Sequence, residues 1–121
     1  MSQKYYFDNS RNIVDKLKNF KYDYHMKTEQ AAICLESIGN KTRLEIFRYL
    51  VKVGNQGAPV GSIQKSLNIP GSTLSHHIAK LLKADLVFQE RISRELICRA
   101  NFEKMNQVIG FLTDCCCELE K

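Results

Sequence analysis

The stretch that decides the fold runs from Asn68 to Leu86: Asn-Ile-Pro-Gly-Ser-Thr-Leu-Ser-His-His-Ile-Ala-Lys-Leu-Leu-Lys-Ala-Asp-Leu. Pro70 and Gly71 make a tight turn, and beyond it the apolar residues recur at helical spacing, which predicts a helix from about Gly71 to Ala84. Its two faces separate well. Leu74, Ile78, Leu81 and Leu82 point inward, while Thr73, His76, Lys80 and Lys83 share an outward stripe. Ser72 and Ser75 add short hydroxylated side chains at the start of the same helix.

Upstream, Pro59 suits the first turn of a short helix with Ile63 and Leu67 inward, and Asn68 suits the left-handed position that ends it. Before that, Ala31, Cys34, Leu35 and Ile38 predict a helix over about Thr28 to Ile38, ended by Gly39. Asn40 then caps a helix whose Leu44, Ile46, Phe47, Leu50 and Val51 form a broad buried stripe, broken by the run Gly54 to Gly57. Downstream, Leu86 to Arg91 and Glu95 to Ala100 read as two strands around a turn of Ile92, Ser93 and Arg94, with Arg91 and Arg94 at the hairpin tip. Asn101 caps a last helix on which Met105, Val108, Ile109, Leu112, Cys115, Cys116 and Leu119 keep to one stripe, so its apolar face is expected to run almost to the C-terminus.

At 121 residues the chain has room for one core, which leaves little for a catalytic domain beside a regulatory one. Residues 1–25 stand apart as an N-terminal extension, with six of the eleven aromatics and a short amphipathic pattern at Ile13, Val14, Leu17 and Phe20 after Asn9 or Ser10. Met26 is an alternative start, so the domain is placed at 26–121. No apolar run approaches the roughly 18 residues of a membrane span and the start is too polar for a secretory signal, so a cytoplasmic protein with no membrane partner is expected. The formal charge is +5, and it is concentrated: Lys41 to Ala84 holds seven bases against Glu45 alone, net +6, while the rest sums to −1. Such a central basic segment points to a polyanionic partner.

A short helix, a tight turn and a second helix that begins with small polar residues form a helix-turn-helix, whose second helix enters a DNA major groove. Ser72, Thr73 and Ser75 are short enough to let the helix approach base edges, and His76 reaches further. Lys80 and Lys83, farther along that face, reach phosphates. Arg91 and Arg94 on the hairpin suit the neighbouring backbone or minor groove. The plainer alternative is a solvated basic helix in an all-α scaffold; turn, basic stripe and hairpin occurring together and in order favour DNA. His77 reads as a packing or capping residue, and Lys41, Arg43, Arg48 and Lys52 read equally as solvated surface or phosphate contacts.

The run Ser72 to Ile78, continued by Leu81 to Val87, resembles the recognition helix and first wing strand of the ArsR-type (arsenical repressor) winged-helix regulators. Gly39 to Ile46, with its Arg43-Leu44 pair after a loop, resembles that family's second-helix signature, and the likeness covers about residues 28–117. It implies a mainly α winged helix-turn-helix with a two-stranded β-wing. It further implies a homodimer through the first and last core helices, and a repressor that leaves a double-stranded operator when an inducer binds. Pro70 stands where the family usually has Ser, Gly71 for Gln, Ser93 for the wing-tip Gly and Cys98 for a wing Tyr.

No cofactor is expected to be permanently bound, and the inducer chemistry turns on five cysteines. In a reducing compartment these are thiols. Val60 to Leu67 has no cysteine, which removes the family's common metalloid site, and the only histidines, His25, His76 and His77, do not supply its zinc site on the last helix. Cys115, Cys116 and Cys117 remain, and a terminal Cys-Cys resembles the arsenic-responsive members. Soft thiolates suit trivalent arsenic or antimony. Cys115 and Cys116 can share one centre on a helix, with Cys117 joining if the end frays and Cys98 or Cys34 otherwise completing the set. Cys34 reads first as a small buried hydrophobe, and Cys98 either way. Asp114, Glu118 and Glu120 disfavour thiolate, which argues for ligand sensing over peroxide sensing. A redox or reactive-sulfur switch stays as an alternative, as does a DNA-binding protein with no inducer. An enzyme is disfavoured, since no Cys-x-x-Cys opens a helix and no phosphate loop or acid/base pair appears.

Overall fold

The structure is a computed structural model that describes residues 26–120; the helix expected within the extension lies outside them. Five α-helices and three strands follow in the order α1 (Thr28–Ile38), α2 (Lys41–Val53), a 3₁₀ turn (Gly54–Gln56), β1 (Ala58–Pro59), α3 (Val60–Leu67), α4 (Gly71–Lys83), β2 (Val87–Ile92), β3 (Glu95–Ala100) and α5 (Phe102–Thr113). Among the described residues no helix is long and apolar enough to cross a membrane.

The helix ends follow their side chains. Asn40 accepts from the Arg43 backbone N–H at 3.1 Å, Asn101 accepts from that of Lys104 at 3.1 Å, and Asn68 takes the left-handed conformation, φ 54°, that closes α3. One core gathers Cys34 from α1, Ile46, Phe47 and Leu50 from α2, Ile63 from α3, and Leu74, Ile78 and Leu81 from α4, with Leu86, Val87, Cys98 and Val108 closing it.

Three expected apolar positions are not in that core. Leu35 on α1, and Leu44 and Val51 on α2, stay 38%, 44% and 37% exposed, and Ser37 is buried instead. At about 100° per residue, each of those leucines and the valine sits at the edge of its helix's inner stripe. Ser37 is drawn in because its hydroxyl donates to the Lys80 carbonyl at 3.4 Å.

The wing is the expected antiparallel hairpin, with Ile92 opposite Glu95 and a turn of Ser93 and Arg94. Ser93 holds φ 58°, the left-handed backbone for which glycine is the usual choice. A third strand joins it: Ala58 and Pro59 pair with Cys98 and Ile97, giving the order β1-β3-β2. Gly57 makes that approach possible, since at φ 72° a Cβ would lie 2.6 Å from the Cys98 carbonyl oxygen. Arg99 clamps the same corner, donating to the Asn55 carbonyl at 3.0 Å and to Glu90 at 2.7 Å.

The last helix is shorter than its apolar stripe. It ends at Thr113, Asp114 is extended, and Cys115 and Cys117 take φ 57° and 65° in two successive turns closed by Glu118 N–H to Cys115 O and Glu120 N–H to Cys117 O, both 3.0 Å. Leu112 is 59% and Leu119 91% exposed, so among the described residues the far end of the stripe has little to bury against and little packing energy to extend the helix.

Two side chains tie the elements to one another. The amide of Asn101 donates to the Asp85 carbonyl at 2.8 Å while its oxygen caps α5, so it joins the segment that follows α4 to the last helix. Asn101→Ala is expected to cost about 2 kcal/mol, a lost cap and a lost buried hydrogen bond, read as a lower urea midpoint at unchanged m-value.

Arg43 is the second tie: its Nε donates to the Ser37 carbonyl and its Nη1 lies 3.2 Å from His77 Nδ1. A guanidinium has no acceptor, so Nδ1 of His77 must accept and the ring must be neutral. Burial, then Arg43, His76 and Lys80, lower the pKa of His77 below its usual 6.5. The unfolded chain therefore binds the proton more readily than the folded one. This contribution to stability is complete above about pH 6.5 and is lost as pH falls through the lower folded value. The urea midpoint of wild type should fall between about pH 7 and pH 5 by more than that of His77→Gln, whose amide oxygen still accepts from Arg43.

Candidate nucleic-acid interface

Helix α4 is oriented by its buried side. With Leu74, Ile78 and Leu81 at 0–3% exposure, the opposite face is held outward, and Ser72, Thr73, Ser75, His76, Lys80 and Lys83 are all exposed on it. From Ser72 to Lys83 that face covers about 16 Å of helix axis. Arg91 and Arg94 are exposed on the wing. Among the described residues no ion pair and no side-chain hydrogen bond engages any of these side chains. His76 meets the His77 ring edge-on, centroids 5.8 Å apart, and the polar groups of this face are available to a ligand without breaking a hydrogen bond among the described residues.

The start of α4 adds a backbone feature. Pro70 is its N-cap, with extended ψ of 145° and no side chain bonded to the first turn, while its carbonyl accepts from Leu74 at 2.9 Å. The amides of Gly71, Ser72 and Thr73 are therefore uncapped at the positive end of the helix, a place that favours an anionic group. No acidic residue occupies that first turn.

The structure places two cysteines in the core and three together at the exposed end of α5. All five are thiols. Cys34 is 3% exposed, its thiol 3.6 Å from the Ala84 carbonyl, and burial raises its pKa. Cys98 is fully buried in β3, accepts from the Gln89 amide at 3.5 Å, and burial likewise raises its pKa. Both are packing residues of the core. Cys98 was expected as a ligand completing the terminal set; in the chain its strand turns the thiol into the core. Among the described residues no three His, Cys, Asp or Glu side chains gather as a metal site.

Cys115, Cys116 and Cys117 are exposed, and the pair that meets is Cys116 and Cys117, Sγ to Sγ 3.3 Å, where a continuous helix would have favoured Cys115 with Cys116. The left-handed backbone at Cys117 makes the difference. Hydrogen bonding to Glu118 and the charges of Asp114 and Glu118 push the Cys115 pKa up to about 11, as the acidic surroundings in the sequence suggest.

From the sequence Arg43 is half of the Arg43-Leu44 pair and one of four dispersed bases, but not a tie between helices. Its role depends on the meeting of Ser37, Arg43 and His77, which are far apart in the chain, and only the position of Arg43 after the Asn40 cap hinted at it.

A helix-turn-helix domain model matches residues 38–89, from the end of α1 through α4 into β2. Among curated proteins none matches the chain. Among solved structures, an ArsR-like transcriptional regulator from Rhodococcus sp. RHA1 aligns with TM-score 0.67 at 22% identity, over 76% of this chain and 84% of that one. HlyU from Vibrio cholerae N16961 aligns with TM-score 0.60 at 24% identity, over 76% and 99%. The homodimeric winged helix-turn-helix domain of Mb0332 from Mycobacterium bovis aligns with TM-score 0.58 at 16% identity, over 93% and 96%. With its matched helix-turn-helix domain, its wing and these likenesses, the chain has the winged helix-turn-helix fold of the ArsR-type transcriptional regulators.

Proposed function

We propose that the chain is a homodimeric, DNA-binding transcriptional repressor, working in the cytoplasm and released from its operator by a thiol-bound inducer. The observation that carries this reading is the outward face of α4, which is exposed and unengaged next to an uncapped helix start. Ser72, Thr73, Ser75 and His76 read base edges; Lys80, Lys83, Arg91 and Arg94 hold phosphates. Dimerisation through α1 and α5 is supported by Leu35 and Leu112, which are 38% and 59% exposed on those two helices. The dimer must then set two copies of α4 about 34–36 Å apart, one turn of duplex.

The inducer is trivalent arsenic or antimony at Cys115, Cys116 and Cys117. The 3.3 Å approach of two exposed thiols supports it, because one soft centre can bridge them, and a bound metalloid displaces protons that the local acids hold in place. To weaken operator binding a hundredfold the inducer must favour the unbound form by about 2.7 kcal/mol, which a few sulfur bonds supply.

Two measurements test the reading. With a duplex selected from a randomised pool, fluorescence anisotropy should show Lys80→Ala weakening all sequences alike and lowering the salt slope by about 0.9, whereas Ser75→Ala should change the sequence preference. An unchanged slope would remove α4 from the interface. On reduced protein, arsenite should release the duplex from wild type and leave the Cys115→Ser, Cys116→Ser, Cys117→Ser variant bound. Release by peroxide or persulfide, and not by arsenite, would replace the metalloid by a redox signal.

A further inference from the structure

A cavity of about 390 Å³ opens where the second half of α1, the start of α2 and the end of α4 meet. Its size lies near the lower end of the range that small-molecule sites occupy. The chemistry of its walls is mixed in a specific way. Ile33 and Ala84 supply an apolar side, and Arg43, Lys80 and Lys83 supply three cations. Arg43 is fixed in place by the Ser37 carbonyl and His77, yet these use only two of the five N–H donors of a guanidinium. Ser37, whose hydroxyl is bonded to the Lys80 carbonyl, forms the floor between them.

We propose that this cavity is an effector site for a small monocarboxylate with an apolar body, gripped by Arg43, Lys80 and Lys83 and seated against Ile33 and Ala84. Carboxylate against a held guanidinium is a strong, directional pairing, and the two ammonium groups, which enter no ion pair among the described residues, add charge. Glu36 stands on the rim. Its negative charge works against a polyanion such as a duplex backbone, and an apolar wall is of no use to a phosphate, so the observations favour the small amphipathic anion.

The consequence for regulation rests on the reading of α4 as the DNA-docking helix. Lys80 and Lys83 are the residues assigned to phosphates, so a carboxylate held between them takes charge away from the duplex. The ligand also touches α1, the helix assigned to the dimer, and so bears on the relative placement of the two recognition helices. This input is separate from the C-terminal thiols.

Isothermal titration calorimetry on the full chain, with benzoate and hexanoate as probes and benzyl alcohol and inorganic phosphate as controls, tests the site without DNA. Saturable binding of the carboxylates at one per chain is expected, with no binding of the alcohol. Glu36→Gln should tighten it about threefold, and the Lys80→Gln/Lys83→Gln variant, checked for an unchanged circular dichroism spectrum, should weaken it about tenfold. Phosphate binding as well as the carboxylates, equal binding by the double variant, or no carboxylate binding at millimolar concentrations would overturn the proposal. In a parallel anisotropy titration, benzoate should weaken duplex binding by wild type. Carboxylate binding with unchanged duplex affinity would overturn the regulatory part alone, and a wild-type protein that binds no duplex would overturn the repressor reading while calorimetry still decides the cavity.

Discussion

The burial of Leu74, Ile78 and Leu81 in a core shared with Ile46, Leu50 and Ile63 is the constraint on which the rest depends. Each fully buried aliphatic side chain contributes about 1.5–3 kcal/mol, so turning α4 about its axis would forfeit several such terms at once. That fixes which residues of the helix meet solvent. The hydroxyls, His76 and the two lysines are outward because the leucines and isoleucine are inward, and no polar contact within the chain is needed to hold them there. Ser37 and Arg43 then set the helix against its neighbours, through one carbonyl of α4 and one neutral histidine.

Charge follows the same logic. The segment from Lys41 to Ala84 carries the chain's excess of bases, and among the described residues the two outward lysines on α4 enter no ion pair. Where acids and bases do pair, as Arg99 with Glu90 or Lys104 with Asp85, the pairs brace the wing and the start of α5. The basic face is left to interactions outside the chain, and the acidic C-terminal turns hold protons on a thiol instead.

The parts of this architecture that local chemistry dictates were legible in the residues alone. Asn40, Asn68 and Asn101 mark helix ends because their side chains or backbones satisfy groups within a few residues, and the two faces of α4 follow from spacing. What depends on distant neighbours was not. β1 is two residues long, one of them a proline, and exists only because β3 has an edge to offer. The clasp of Ser37, Arg43 and His77 joins three separate helices. The C-terminal run misled because cysteine continues an apolar stripe, whereas a stripe extends a helix only when another surface covers it, and Leu119 has none among the described residues.

Gly57 has a further consequence. With the third strand seated on Cys98 and Ile97 and no room for a side chain at the crossing, the root of the wing is fixed to the front of α3. The height of the wing-tip arginines relative to α4 is then inherited from the backbone and not from the residues that face outward. Surface side chains on α4 and the wing can be exchanged one at a time with the frame that aims them left untouched.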